Sequence, residues 1–126
     1  MRHWSFIDGF GFEHLQLCEA EIPVPGPRDV LIEMSAVSLN YRDLVVLRGQ
    51  HGKVVTPPLI PLSDGVGRVV ETGPEVTSVS TGDRVSPCFF QNWAGGAPPH
   101  DLDVGRLGGP VDGVLTTHMV AVSYTH

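Results

Sequence analysis

Glycine and proline recur so closely along this chain that a long helix has no room to form: 15 Gly and 11 Pro make up more than a fifth of its 126 residues. Proline lacks a backbone donor and glycine loses the most conformational freedom on ordering, so both belong to turns, bulges and strand ends. The expectation is a mainly β fold of short strands joined by turns. Hydrophobic residues at 41% and charged residues at 17% suffice for a folded interior. The length allows one domain, residues 1–126, and is too small for two separate cores.

Hydrophobic period places the elements. His3–Asp8 and Glu13–Ala20 are short runs around Gly9-Phe10-Gly11, and they predict a hairpin. Pro23, Pro25 and Pro27 form an extended connection into a strand over Asp29–Leu39, with Ile32, Met34 and Ala36 expected on one face. The single convincing helix spans Tyr41–Arg48. Asn40 is placed to cap it, Asp43 stands near its positive end and Gly49 follows it, while Tyr41, Leu44, Val45 and Arg48 form the expected inward stripe. Asp64–Gly73 is a valine-rich strand interrupted by Gly65 and Gly67, a pattern of close backbone approach or a bulge. Strands are expected at Arg84–Phe90 and Val114–Val122, separated by a long Gly/Pro-rich segment from Gln91 to Gly113. No internal repeat or composition break marks a second domain.

The net charge of −6, with only eight scattered Lys and Arg, provides no basic footprint for nucleic acid or an anionic membrane surface. The N-terminus lacks the pattern of a secretory signal, and no stretch has the length of a membrane span. Cys18 and Cys88 stand too far apart for a thiolate framework and suit a reducing compartment, so the expected localisation is cytoplasmic.

The chemistry-bearing motifs are sparse. Gly65-Val66-Gly67 has Val70 where a dinucleotide fingerprint needs its third glycine, and strand-like sequence follows, so these glycines read as structural. The spacing of His3, His14, His51, His100, His118 and His126 fits no transition-metal pattern, and His100, Asp101 and Asp103 read as a solvated polar loop. No nucleophile elbow is present. Asn40 and Asp43 have a structural explanation as capping groups, preferred on these grounds over substrate binding.

The series PGPRDVLIEMSAVSLNYRDLVVLRGQHG and PLSDGVGRVVETGPEVTSVSTGDRVSP resembles the N-terminal catalytic domain of medium-chain dehydrogenases/reductases. The resemblance runs from about Trp4 to Val122 and implies a GroES-like, partly open β-barrel with one or two short helices. FFQNWAGGAPP and LGGPVDGVL are similar to a branch of zinc-type alcohol dehydrogenase-like proteins whose metal residues are lost. In zinc-containing members a cysteine stands where Asn40 stands, and a His-Glu pair where Ser63-Asp64 stand. An amide and a hydroxyl are poor substitutes for those ligands, so no zinc is expected.

Asn40-Tyr41-Arg42-Asp43 instead resembles the zinc-independent quinone oxidoreductase branch, which implies NAD(P)H-dependent hydride transfer to a quinone, enone or carbonyl. Carried over residue by residue, the resemblance makes Asn40, Tyr41, Asp43 and Asp64 the catalytic candidates, with Asn40 and Tyr41 also facing the cofactor. Tyr41 would donate a hydrogen bond, Asn40 would orient substrate or nicotinamide, and Asp43 would hold the helix in register. Family members continue into a Rossmann domain, absent from these residues. The expectation is therefore a truncated or isolated catalytic domain, inactive as a reductase alone and binding no cofactor by itself. Its partner would be a small-molecule substrate. The alternative is a non-catalytic β-barrel interaction module that self-associates, as a homodimer, through the surface a nucleotide domain would cover.

Overall fold

The computed structural model describes residues 1–51 and 55–124, and among these the chain forms six strands and one α-helix. Strands β1 (Arg2–Phe6) and β2 (Leu15–Glu19) pair antiparallel from Arg2 opposite Glu19 to Phe6 opposite Leu15, which is the hairpin that the two alternating runs predict. The second sheet has the order β5-β4-β3-β6, built from β3 (Asp29–Ser38), β4 (Asp64–Thr72), β5 (Arg84–Val85) and β6 (His118–Val122). Both sheets are open and neither closes into a barrel, in keeping with the expected mainly β, partly open architecture.

The glycines of β4 show why the sheet bends. Register shifts lie between Leu31 and Ile32 of β3, opposite Glu71 and Val69, and between Met34 and Ala36, opposite Gly67 and Val66. A Cβ on Gly67 would lie 2.3 Å from the Glu33 carbonyl oxygen and 2.6 Å from Ile32 Cγ2. Only a residue without a side chain lets the two backbones approach so closely. The same shift corrects one expectation: Ile32 is buried, but Ala36 is exposed, because the bulge breaks the alternation between them.

Two apolar clusters sit beneath the sheets. The larger joins Val30, Ile32, Val69, Val85, Met119 and Ala121 of the second sheet to Leu62, Leu107 and Val114 from its connections. The smaller gathers Phe6, Val46, Val55 and Leu59, with Phe10, Leu15 and Leu47 packed against it. The helix α1 (Tyr41–Leu47) enters this smaller cluster through Val46, which is 1% exposed. Tyr41 and Leu44 face outward, so the inward stripe drawn through them is rotated away from the actual one. The rotation has a cause in Arg42, whose half-buried guanidinium is tied to the body of the domain.

Two strands are shorter than their composition predicts. β5 stops at Val85, and the last strand begins only at His118. Residues past each end keep their backbone groups paired by other means. The Leu107 N–H donates to Phe89 O at 2.9 Å, and the Val114 N–H donates to Leu62 O at 3.0 Å. The long connection after Gln91 is therefore an ordered structure. It contains a short 3-10 turn at Leu102–Gly105 and buries Leu107 in the larger cluster.

Candidate functional site

The site forms where the first turn of α1 meets the start of β4. Asn40 has extended backbone and precedes the helix, and its N–H donates to Asp43 Oδ2 at 2.7 Å in a capping box. Its side-chain Nδ2 donates to Asp64 Oδ2 at 2.6 Å. The structure thus brings three of the sequence candidates together, Asn40, Asp43 and Asp64, and gives Asn40 both a capping role and a contact with the start of β4. Tyr41 is 73% exposed at the first helical position, so its ring lies apart from the buried layer of the site.

Immediately below runs a second clamp. Arg42 Nη1 donates to Ser63 Oγ at 3.2 Å and to Leu107 O at 3.1 Å, and Nη2 donates to Gly109 O. Ser63, 4% exposed, passes its own hydroxyl hydrogen to Leu107 O at 2.8 Å. The guanidinium carbon lies 5.2 Å from the centroid of the Phe89 ring. One side chain therefore joins α1, the segment entering β4 and the long connection after Gln91.

Local backbone prepares these acceptors. Leu62, buried just before Ser63, has φ of 73°, a left-handed conformation that costs a branched residue energy and turns the chain sharply there. Gly108 has φ of 78°, and a Cβ on it would come within 2.8 Å of Leu62 O. Two tight turns thus face one another and aim the Leu107 and Gly109 carbonyls at the guanidinium.

The electrostatics follow from burial. Burial lowers the pKa of Arg42, Arg106 pushes in the same direction, and Asp43 opposes both. Burial raises the pKa of Asp43, with Asp64 adding to the rise, while the Asn40 N–H and Arg42 counteract it. His51 is lowered chiefly by burial and then by Arg42 and Arg106. Sequence alone does not single out Arg42 or His51. The available signal is that Arg42 stands in the first helical turn, where the helix dipole disfavours a cation and another partner must hold it.

The groups hydrogen-bonded together here are a guanidinium, a hydroxyl, an amide and the carboxylates of Asp43 and Asp64, both of which accept from Asn40. They include neither the thiolate nor the imidazole ligands typical of a zinc site. No three His, Cys, Asp or Glu side chains converge elsewhere among the described residues. Gly65 and Gly67 lie inside β4 against β3, where an added Cβ on Gly65 would be 3.0 Å from Ala36 O, and they offer no loop to a phosphate.

An open mainly β domain whose capped helix is clamped to a glycine-interrupted strand has the architecture of a GroES-like domain. Residues 26–125 match the alcohol dehydrogenase GroES-like domain, and the chain belongs to that family. It is 36% identical over 111 residues to a zinc-type alcohol dehydrogenase-like protein of Schizosaccharomyces pombe, covering 87% of this chain and 32% of that protein. It is 30% identical over 135 residues to a chloroplastic quinone-oxidoreductase of Triphysaria versicolor, covering 93% of this chain and 41% of that one. Among solved structures, a thermostable alcohol dehydrogenase from Pyrobaculum aerophilum superimposes with a TM-score of 0.82 at 31% identity, over 98% of this chain and 39% of that chain. A second structure of a thermostable alcohol dehydrogenase from that organism contains cobalt and zinc. The chain spans about a third of the length of the curated relatives it matches. No helix among the described residues is long and apolar enough to cross a membrane.

Proposed function

We propose that the chain is the substrate-facing catalytic domain of a zinc-independent oxidoreductase of the medium-chain dehydrogenase/reductase family, acting on a quinone, enone or other activated carbonyl. The observation that supports this reading is the Asn40–Asp64 contact at 2.6 Å above the Arg42–Ser63 clamp. Amide, hydroxyl and guanidinium groups there satisfy one another where a metal-dependent site would need anionic or imidazole ligands. The hydride in such an enzyme comes from NAD(P)H, which a nucleotide-binding domain would hold, so the GroES-like domain in isolation is expected to turn over no substrate. Asp64 fixes the Asn40 amide, which is thereby placed to orient a carbonyl group. Asp43 holds the helix start, and Tyr41, exposed beside Asn40, is available to donate a hydrogen bond to a ligand.

Titration of the chain with 1,4-naphthoquinone, followed by NMR at the Asn40 side-chain amide, tests the substrate reading. A saturable shift that disappears in Asn40→Ala supports it, and an unmoved Asn40 amide overturns it. Copurification of about one equivalent of zinc per chain would overturn the metal-independent part.

A second reading draws on the exposed Val37, Leu39 and Tyr41 around the helix start. These apolar groups suit burial against another polypeptide, either a nucleotide-binding domain or a second copy in a homodimer. Light scattering on the isolated chain separates the two: a stable dimer favours self-association, and a monomer removes it.

A further inference from the structure

Arg42 is a half-buried cation whose hydrogen-bonding partners among the described residues are all neutral, while the neighbouring Asp43 carboxylate favours its charged form. Its three hydrogen-bonding partners, Ser63 Oγ, Leu107 O and Gly109 O, are neutral oxygens that accept protons but carry no charge to offset the guanidinium. It makes no ion pair among the described residues, where the arginine pairs are Arg28 with Glu75 and Arg106 with Asp103. Asp43, next to it in sequence, directs its carboxylate at the Asn40 N–H, and Asp64 accepts from the Asn40 amide. Asp103 lies 3.9 Å from the second arginine. Arg106 acts on the same region and adds positive charge to it.

A guanidinium has five N–H groups. Nη1 faces Ser63 and Leu107 and Nη2 faces Gly109, which leaves the Nε–H and the second Nη2–H without an acceptor among the described residues. The side chain is rigidly held by three hydrogen bonds and the Phe89 ring, yet it keeps partial exposure. A planar, fixed pair of donors in a partly desolvated setting matches the geometry of a carboxylate.

We propose that Arg42 is a carboxylate-binding group, in which the two oxygens of an acidic small molecule dock on its Nε–H and free Nη2–H. Arg106 strengthens the site as a second cation, and the clamp on Ser63, Leu107 and Gly109 keeps the fork from reorganising when the anion arrives. The inference concerns recognition of an anionic group and holds whether or not the domain supports hydride transfer.

The test is a titration of the chain with sodium benzoate, read at the Arg42 Nε–Hε resonance, with neutral benzamide and sodium chloride at matched ionic strength as controls. The expected result is a saturable shift with benzoate only, weakened about tenfold or lost in Arg42→Met and weakened several-fold in Arg42→Lys, which keeps the charge and loses the fork. If Arg42→Met does not fold, Arg106→Gln replaces it, with affinity reduced about threefold for loss of one neighbouring charge. The proposal is overturned if benzoate gives no saturable Arg42 shift, if benzamide or chloride moves the resonance equally, or if folded Arg42→Met binds benzoate as tightly as the parent.

Discussion

Asn40 and Asp64, separated by 24 positions in sequence, meet through an amide-to-carboxylate hydrogen bond of 2.6 Å that joins the helix cap to the first residue of β4. Two substitutions separate the components of this contact. Asn40→Ala removes both cap and bridge and is expected to lower stability by about 1–2 kcal/mol. Asn40→Asp keeps a capping oxygen but sets a second carboxylate against Asp64, so its deficit should be greatest near neutral pH and shrink on acidification. Thermal melts between pH 4 and 7 check this, and parallel pH profiles for parent and Asn40→Asp would refute it.

The two kinds of glycine should respond differently to a methyl group. Gly67→Ala drives a Cβ into the Glu33 carbonyl, a backbone atom that cannot swing aside, and should cost about 3 kcal/mol or more. Gly82 has φ of 96° but nothing within 4 Å of an added Cβ, so Gly82→Ala should cost only about 1 kcal/mol from backbone strain. Urea midpoints of the two variants give the comparison directly.

On the helix, Val46→Ala should cost on the order of 1–3 kcal/mol because Val46 fills the smaller cluster. Leu44→Ser, on the exposed side, should change stability by no more than about 0.5 kcal/mol. The reverse ranking in denaturant unfolding would restore the outward face as the packing face.

Acid dependence should show two opposing contributions. Asp43 has a raised pKa in the folded chain, chiefly from burial, so the folded state holds its proton more tightly. Its stabilising contribution is complete below the unfolded value of about 3.9 and is lost as pH rises through the folded pKa. His51 is lowered, again chiefly by burial, so its contribution is complete above about pH 6.5 and is lost as pH falls through the folded pKa. Asp43→Asn and His51→Gln should each flatten the stability profile in its own window, measured as urea midpoint against pH.

Much of the frame was legible because it rests on local chemistry. Gly9 and Gly11 mark the first hairpin, Asn40 and Gly49 bound the helix, and Gly65 and Gly67 announce the close strand pairing. The helix face was not legible, since Tyr41, Leu44, Val45 and Arg48 have the right spacing, yet Tyr41, Leu44 and Arg48 are exposed and Val46 is the buried residue of the helix. The bulge before Ala36 likewise depends on the partner strand. For the candidate site, Asn40, Asp43 and Asp64 could be named from motif resemblance, but their contact could not. Arg42 stayed hidden because its acceptors come from Ser63 and from two carbonyls more than sixty positions away, set by the backbone of Gly108 and Gly109.

That choice of acceptors bears on how such a domain can diverge. Main-chain carbonyls at Leu107 and Gly109 exist whatever residue occupies those positions, so the anchor places almost no demand on the identity of its counterparts. Comparative methods that search for paired substitutions would pass over it. Drift at those positions is restrained by core packing at Leu107 and by turn geometry and close packing at Gly109, not by the guanidinium, and the keystone of three distant segments leaves its trace in a single column.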